Sequence, residues 1–155
     1  MAAKAAAPAP ASLCVAAQAF AERIAGKTEL DLRGEKISPA QASALAEALK
    51  ANRTLTALDL GENSIGDAGA SAVAEALKVN RTLTALELQN NSIGDAGASA
   101  VAVASKVNRT LKMLVLSNNS IGEAGVQALR SSVRSGCELF VSAVAPALAA
   151  ALSQL

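Results

Sequence analysis

Two hydrophobic periods follow one another along the chain. Leu58, Asp59 and Leu60 read apolar, polar, apolar, and the pairs Leu86/Leu88 and Leu114/Leu116 repeat that spacing, which predicts short strands with one buried face. Ala70, Val73, Ala74 and Leu77 then fall at i, i+3, i+4 and i+7, the stripe of a helix of about three turns. Asp67 stands where that helix should start and is a good N-cap residue.

The pair of periods recurs. Residues 55–82, LTALDLGENSIGDAGASAVAEALKVNRT, return at 83–110 as LTALELQNNSIGDAGASAVAVASKVNRT, both 28 residues long, with the twelve residues NSIGDAGASAVA identical. A third copy starts at Leu111 and a looser one occupies 27–54. Strand, turn, helix and return make each copy one βα turn of a solenoid, so the expected fold class is α/β. No single unit can cover its own apolar edge, and stability must come from stacking on neighbours. Leucines such as Leu55, Leu58, Leu60 and Leu77 point inward on this reading, each contributing roughly 1.5 to 3 kcal/mol when fully buried.

At the ends the pattern weakens. In the first unit Glu35 stands where later units have Asn63, Asn91 and Asn119, and Ser38 and Gln41 replace two glycines. Upstream, Leu13, Ala16, Ala17, Phe20 and Ile24 fall at helical spacings, predicting a helix that shields the first unit. Downstream the 28-residue frame places a fifth strand at Leu139, with Ser142 in the next leucine position. The expected organisation is a disordered Ala/Pro-rich 1–11, a capping helix at 12–26, four repeats at 27–138 and a degenerate capping segment at 139–155.

The pattern LxxLxLxxN, present at 55–63, 83–91 and 111–119 and followed by Ile-Gly-x-x-Gly, closely resembles the leucine-rich repeat of the ribonuclease-inhibitor-like type, which also occurs in NLR immune receptors and in activators of the Ran GTPase. The resemblance covers 27 to about 133. It implies a short horseshoe arc with parallel strands on the concave face and helices on the convex face. It also implies that Asn63, Asn91 and Asn119 form a structural ladder satisfying backbone groups, and that Gly69, Gly97 and Gly125 let the helices approach closely.

Composition narrows the function. A formal charge of +1 with 17% charged residues gives no basic footprint for nucleic acid. Phe20 and Phe140 are the whole aromatic content, and Trp, Tyr and His are absent, which removes the commonest general base and metal ligand and the rings used to stack single strands. Cys14 and Cys137 form no metal pair by spacing. In a four-step solenoid they lie about 19 Å apart, beyond the roughly 7 Å Cα reach of a disulfide. No nucleophile–base pair, metal set or acid pair in a cleft is visible, so neither an enzyme nor a cofactor is expected.

Three motifs mislead. Ala21 to Thr28, with Gly26-Lys27-Thr28, imitates a phosphate loop, but a helix precedes it and a strand follows, the reverse of the order phosphate binding requires. Gly26 reads instead as a helix C-terminal residue at positive φ, and no nucleotide is expected. Asn-x-Ser/Thr at Asn52, Asn80, Asn90, Asn108 and Asn118 reads as turn chemistry rather than glycosylation. The charge-free tail FVSAVAPALAAALSQL is short for a membrane span. The chain is expected in the cytoplasm, without a membrane partner. Ser105 occupies the Leu77 position, which marks the third helix as the weak point and predicts that Ser105→Leu raises the melting temperature.

Strand positions between the leucines project from the concave face and stack at about 4.8 Å. One file reads Asp31, Asp59, Glu87, Val115; its neighbours read Glu29, Ala57, Ala85, Met113 and Arg33, Gly61, Gln89, Ser117. The face is acidic at its N-terminal side, partly neutralised by Arg33, and apolar at its C-terminal side. Glu29, Asp31, Arg33, Asp59, Glu87, Gln89, Met113 and Val115 are the candidate partner-binding residues, for another protein carrying a basic segment. The expected function is a non-catalytic protein-interaction module. The alternatives are a regulator of a small GTPase, as the Ran activators are, and a fragment of a larger NLR-like receptor.

Overall fold

The computed structural model describes residues 11–133 and 135–141. Helix α1 (Ala11–Ile24) leads into an alternation of strands β1 (Glu29–Asp31), β2 (Ala57–Asp59), β3 (Ala85–Glu87), β4 (Met113–Val115) and β5 (Glu138–Phe140) with helices α2 (Pro39–Ala51), α3 (Gly66–Val79), α4 (Asp95–Val107) and α5 (Glu123–Ser132). The strands form one parallel sheet in chain order. Leu30, Leu58, Leu86, Leu114 and Leu139 align side by side across it. With Leu32, Leu60, Leu88 and Leu116 they meet Ala70, Val73, Leu77 and their counterparts from the helices in one continuous core. The fold is an α/β leucine-rich-repeat solenoid, strands on one face and helices on the other. Among the described residues no helix is long and apolar enough to cross a membrane.

Glycine at three positions lets the helices close on the preceding turn. A Cβ on Gly69, Gly97 or Gly125 would lie 2.3, 2.7 or 2.6 Å from the γ2 methyl of Ile65, Ile93 or Ile121, distances no packed methyl tolerates. Gly26, two residues past α1, has φ +71°, the left-handed cap geometry.

Polar groups tie each unit to its neighbours. Asn63 Nδ2 donates to Leu32 O, Leu60 O and Gly61 O, while its Oδ1 accepts from Ile37 N. Asn91 and Asn119 repeat the arrangement one and two units on. A second ladder runs along the opposite edge. Asn80 Nδ2 donates to Leu49 O at 2.8 Å and Asn52 O at 3.3 Å, and its Oδ1 accepts from Thr82 N and Leu83 N. Asn108 does the same to Leu77 O and Asn80 O. These asparagines are helix C-caps with extended backbone, φ −67° and −70°, and the turn each makes through its Oδ1 is joined by a buried amide that reaches the preceding unit. Left-handed backbone falls elsewhere, at the equivalent positions Gly34, Glu62, Asn90 and Asn118, with φ 70°, 54°, 57° and 56°.

Asp67 corrects an expectation. It lies inside the first turn of α3, whose N-cap position is Ile65 with no side-chain bond. Its carboxylate Oδ1 instead accepts from Gly94 N at 2.7 Å and Gly97 N at 2.8 Å, at the start of the following helix. Asp95 caps α5 the same way through Gly122 N and Gly125 N. Helix α2, with no repeat upstream, closes itself: Ser38 and Gln41 form a reciprocal capping box. Glu35, lacking a ladder to join, takes both guanidinium nitrogens of Arg23 from α1 at 3.1 Å.

The last unit is short. Leu139 pairs with Leu114, 25 residues on rather than 28, because α5 has 10 residues where α3 has 14 and α4 has 13. The fifth strand therefore lies three residues earlier in the frame than expected, and the boundary expected at 138/139 falls inside β5. Ser142 and the rest of the tail, like the Ala/Pro-rich start through residue 10, lie outside the described residues. Ser105 is buried, its hydroxyl donating to Val101 O at 2.9 Å. A small cavity of about 10 Å³ lined by Ser105, Asn108, Leu111, Val133 and Cys137 lies beside it.

Candidate functional site

On the concave face the register sets Glu29, Ala57, Ala85, Met113 and Glu138 in one file and Asp31, Asp59, Glu87, Val115 and Phe140 in the next. The alanines are short, so the carboxylates stand around a shallow depression of about 190 Å³ lined by Glu29, Asp31, Ala57, Asp59, Ala85 and Glu87. Its floor is methyl and its rim carboxylate. Toward the C-terminus Met113, Val115 and Phe140 are apolar, with the exposed carboxylate of Glu138 beside Met113.

Local bonds orient these groups. Asp31 Oδ1 accepts from Arg33 N at 2.9 Å and Asp59 Oδ1 from Gly61 N at 2.8 Å, each turning back on the loop after its strand. Gln89 Nε2 donates to Glu87 Oε2 at 3.1 Å, and Gln89 Oε1 is shielded from solvent without a partner. The Arg33 side chain pairs with Glu62 rather than with the acidic file. That guanidinium, by hydrogen bond and charge, holds the Glu62 carboxyl below its ordinary range. Arg33 is thus occupied, and Asp31, Asp59 and Glu87 make no salt bridge among the described residues.

Every candidate residue from the sequence lies on or beside this sheet: Glu29, Asp31, Asp59, Glu87, Met113 and Val115 on strands, Arg33 and Gln89 on the loops that follow. Phe140 was not among them. It is 48% exposed and extends the apolar end of the face. A strict 28-residue frame hides it, and allowing a three-residue deletion before Glu138-Leu139-Phe140 would have revealed it.

The Leucine Rich repeat family matches residues 51–74, 79–102 and 107–129, the segments that carry the ladder asparagines and β2 to β4. The chain is a leucine-rich-repeat protein. Among solved structures, this repeat protein is similar to the actin-binding site 2 of leiomodin-1, with TM-score 0.73 and 23% identity over 94% of this chain and 88% of that one. It is also similar to the tropomodulin C-terminal domain of Caenorhabditis elegans, with TM-score 0.69 and 14% identity over 92% and 89% of the two chains. Likeness at those identities is one of fold. No curated protein matches the sequence.

Among the described residues no group of three or more His, Cys, Asp or Glu is gathered to hold a metal ion. Cys137 is a free thiol whose pKa is raised by burial and then by Glu138, the opposite of what activates a thiol nucleophile. The side chain of Cys14 lies outside the described residues.

Proposed function

We propose that the protein is a non-catalytic interaction module that receives a partner protein on its concave sheet. The carrying observation is the register: it gathers carboxylates from three strands around an alanine floor, where Asp31, Asp59 and Glu87 take no salt bridge from any cation among the described residues. A lysine or arginine side chain suits such a depression, its aliphatic stem on the alanines and its charged head among the carboxylates. The chemistry supports a partner segment that carries basic residues toward β1 and an apolar side chain toward Met113, Val115 and Phe140. Phe140 supplies the aromatic anchor that strong interfaces use.

Affinity capture with the wild type beside Asp31→Lys/Asp59→Lys/Glu87→Lys, and beside Phe140→Ser, tests the reading. Partners held through this face are lost by the triple variant and weakened by the single one. Recovery of the same partners in equal amounts by all three proteins would remove the concave face from recognition. Purified actin is the first defined partner to try in cosedimentation, because a fold neighbour is an actin-binding site.

A further inference from the structure

The formal charge of +1 conceals a segregation. Helices end and strands begin along one edge of the slab, and there the repeat places Lys50, Lys78 and Lys106 in the last helical turns and Arg53, Arg81 and Arg109 in the returns. The asparagines preceding the arginines bond directly from unit to unit, Asn80 Nδ2 to Asn52 O and Asn108 Nδ2 to Asn80 O. The three exposed arginines therefore form a file.

Carboxylates answer only part of this charge. Glu47 and Glu75 hold Lys50 and Lys78 at 2.7 and 2.8 Å. In the third unit Val103 stands at the Glu75 position, and Lys106 has no carboxylate partner among the described residues. Arg53 and Arg81 reach only carbonyls, those of Lys50, Asn52 and Asn80. The same valine joins an apolar set beside the cations: Val79, Val103 and Val107 are 49%, 51% and 46% exposed. Val79 and Val107 are equivalent positions on the neighbouring helices α3 and α4, and Val103 lies one turn from Val107.

Cations interleaved with uncovered aliphatic side chains along one edge are complementary to an anionic bilayer surface, where headgroup charge meets the arginines and the apolar boundary just beneath meets the valines. A nucleic acid would match the charge and leave the valines against phosphate, with no aromatic ring on this edge to stack a base. We infer that this edge docks the protein peripherally on membrane surfaces rich in anionic phospholipid. The concave face is a separate surface, and the two bindings are independent. This departs from the expectation of no membrane partner, which rested on the lack of a segment long enough to span.

Cosedimentation of the full chain with phosphatidylcholine vesicles, with and without phosphatidylserine, tests it. Binding is expected only with phosphatidylserine and is reversed by high salt. Arg53→Gln/Arg81→Gln/Arg109→Gln should lower partitioning about a hundredfold, at about fivefold per cation. Val79→Ser/Val103→Ser/Val107→Ser should lower it on the order of tenfold. Circular dichroism checks that each variant is folded, and Lys106→Glu, at a side chain the fold does not use, repeats the charge test if the triple variant melts early. Absence of binding to phosphatidylserine vesicles at low salt overturns the inference, as does undiminished binding by folded charge variants. Binding to polyglutamate or RNA but not to vesicles would assign the edge to another polyanion and also overturns it.

Discussion

Replacing Asp67 by alanine removes a cap that belongs to the next unit. Asp67 Oδ1 accepts from Gly94 N and Gly97 N at 2.7 and 2.8 Å, two of the donors that a helix start leaves without intrahelical partners. Gly94 is half-buried and can turn to water, whereas Gly97 is buried and keeps an unmet N–H. Losing a cap costs about 0.5 to 2 kcal/mol, and stranding a buried donor about 1 to 3 kcal/mol. The expected loss is therefore about 2 kcal/mol. With about 2.1 cal/mol/K of unfolding entropy per residue over the described residues, it lowers the melting temperature by about 7 °C. Asp67→Asn keeps an acceptor and loses only the charge at the helix dipole, about 0.3 to 1 kcal/mol. Glu123 is the internal control: it occupies the same place in the last unit, and its carboxylate takes no hydrogen bond among the described residues. Thermal melts of Asp67→Ala, Asp67→Asn and Glu123→Ala, with hydrogen exchange at the Gly97 amide, check the reasoning. Equal melting temperatures for Asp67→Ala and Glu123→Ala, or an unchanged exchange rate at Gly97, would refute inter-repeat capping.

Asn80→Ala should destabilise by about 1 to 3 kcal/mol, because it strands the buried Leu83 N and takes from Leu49 O the donor of the neighbouring unit; Asn52→Ala, which likewise loses the bonds from Thr54 N and Leu55 N but whose Nδ2 reaches only Thr54 Oγ1 and no upstream unit, should cost less, and denaturant titration of the pair gives the ranking. Gly97→Ala would put a Cβ 2.7 Å from both Asp67 Oδ1 and Ile93 Cγ2, so its gain in helix propensity is overridden by about 1 to 3 kcal/mol of overpacking. Gly94→Ala, whose Cβ would meet Asp67 Oδ2 at 3.3 Å, should be milder in the same melt. Glu62→Asn should raise the melting temperature, since Glu62 holds φ 54° where Asn90 and Asn118 stand in later units and asparagine accepts that conformation more readily.

What was legible in the sequence is what repeats with a fixed period on one chain. Leu58, Leu86 and Leu114 announce both the strand and the 28-residue step, and the files of Asp31, Asp59 and Glu87 follow by counting. The bonds that cross units are harder to read. Asp67 looks like the cap of its own helix because local spacing says nothing of a contact 27 and 30 residues away. Asn80 and Asn108 look like turn residues because their burial depends on a neighbouring helix end. Phe140 was lost to a deletion of less than one helical turn in α5. The basic edge was hidden by a net charge that averages over opposite sides of the slab.

The concave positions are chemically free in a way the ladder positions are not. Asp59 and Val115 occupy the same place in β2 and β4, in the same register and with the same pairing on either side. The aspartate also accepts from Gly61 N at 2.8 Å, yet β4 pairs with its neighbours where valine can accept nothing, so that bond is not a condition of the strand. Asn63, Asn91 and Asn119 admit no such exchange, because each amide closes backbone groups of two units at once. Where no upstream ladder exists, in the first unit, the position becomes Glu35 and turns outward to Arg23. The fold thus constrains asparagine, leucine and glycine positions and leaves the outward strand positions to recognition. It follows that Asp31→Lys/Asp59→Lys/Glu87→Lys should fold with the sheet register intact, so that any partner it loses is lost to charge at the surface and not to collapse of the repeat.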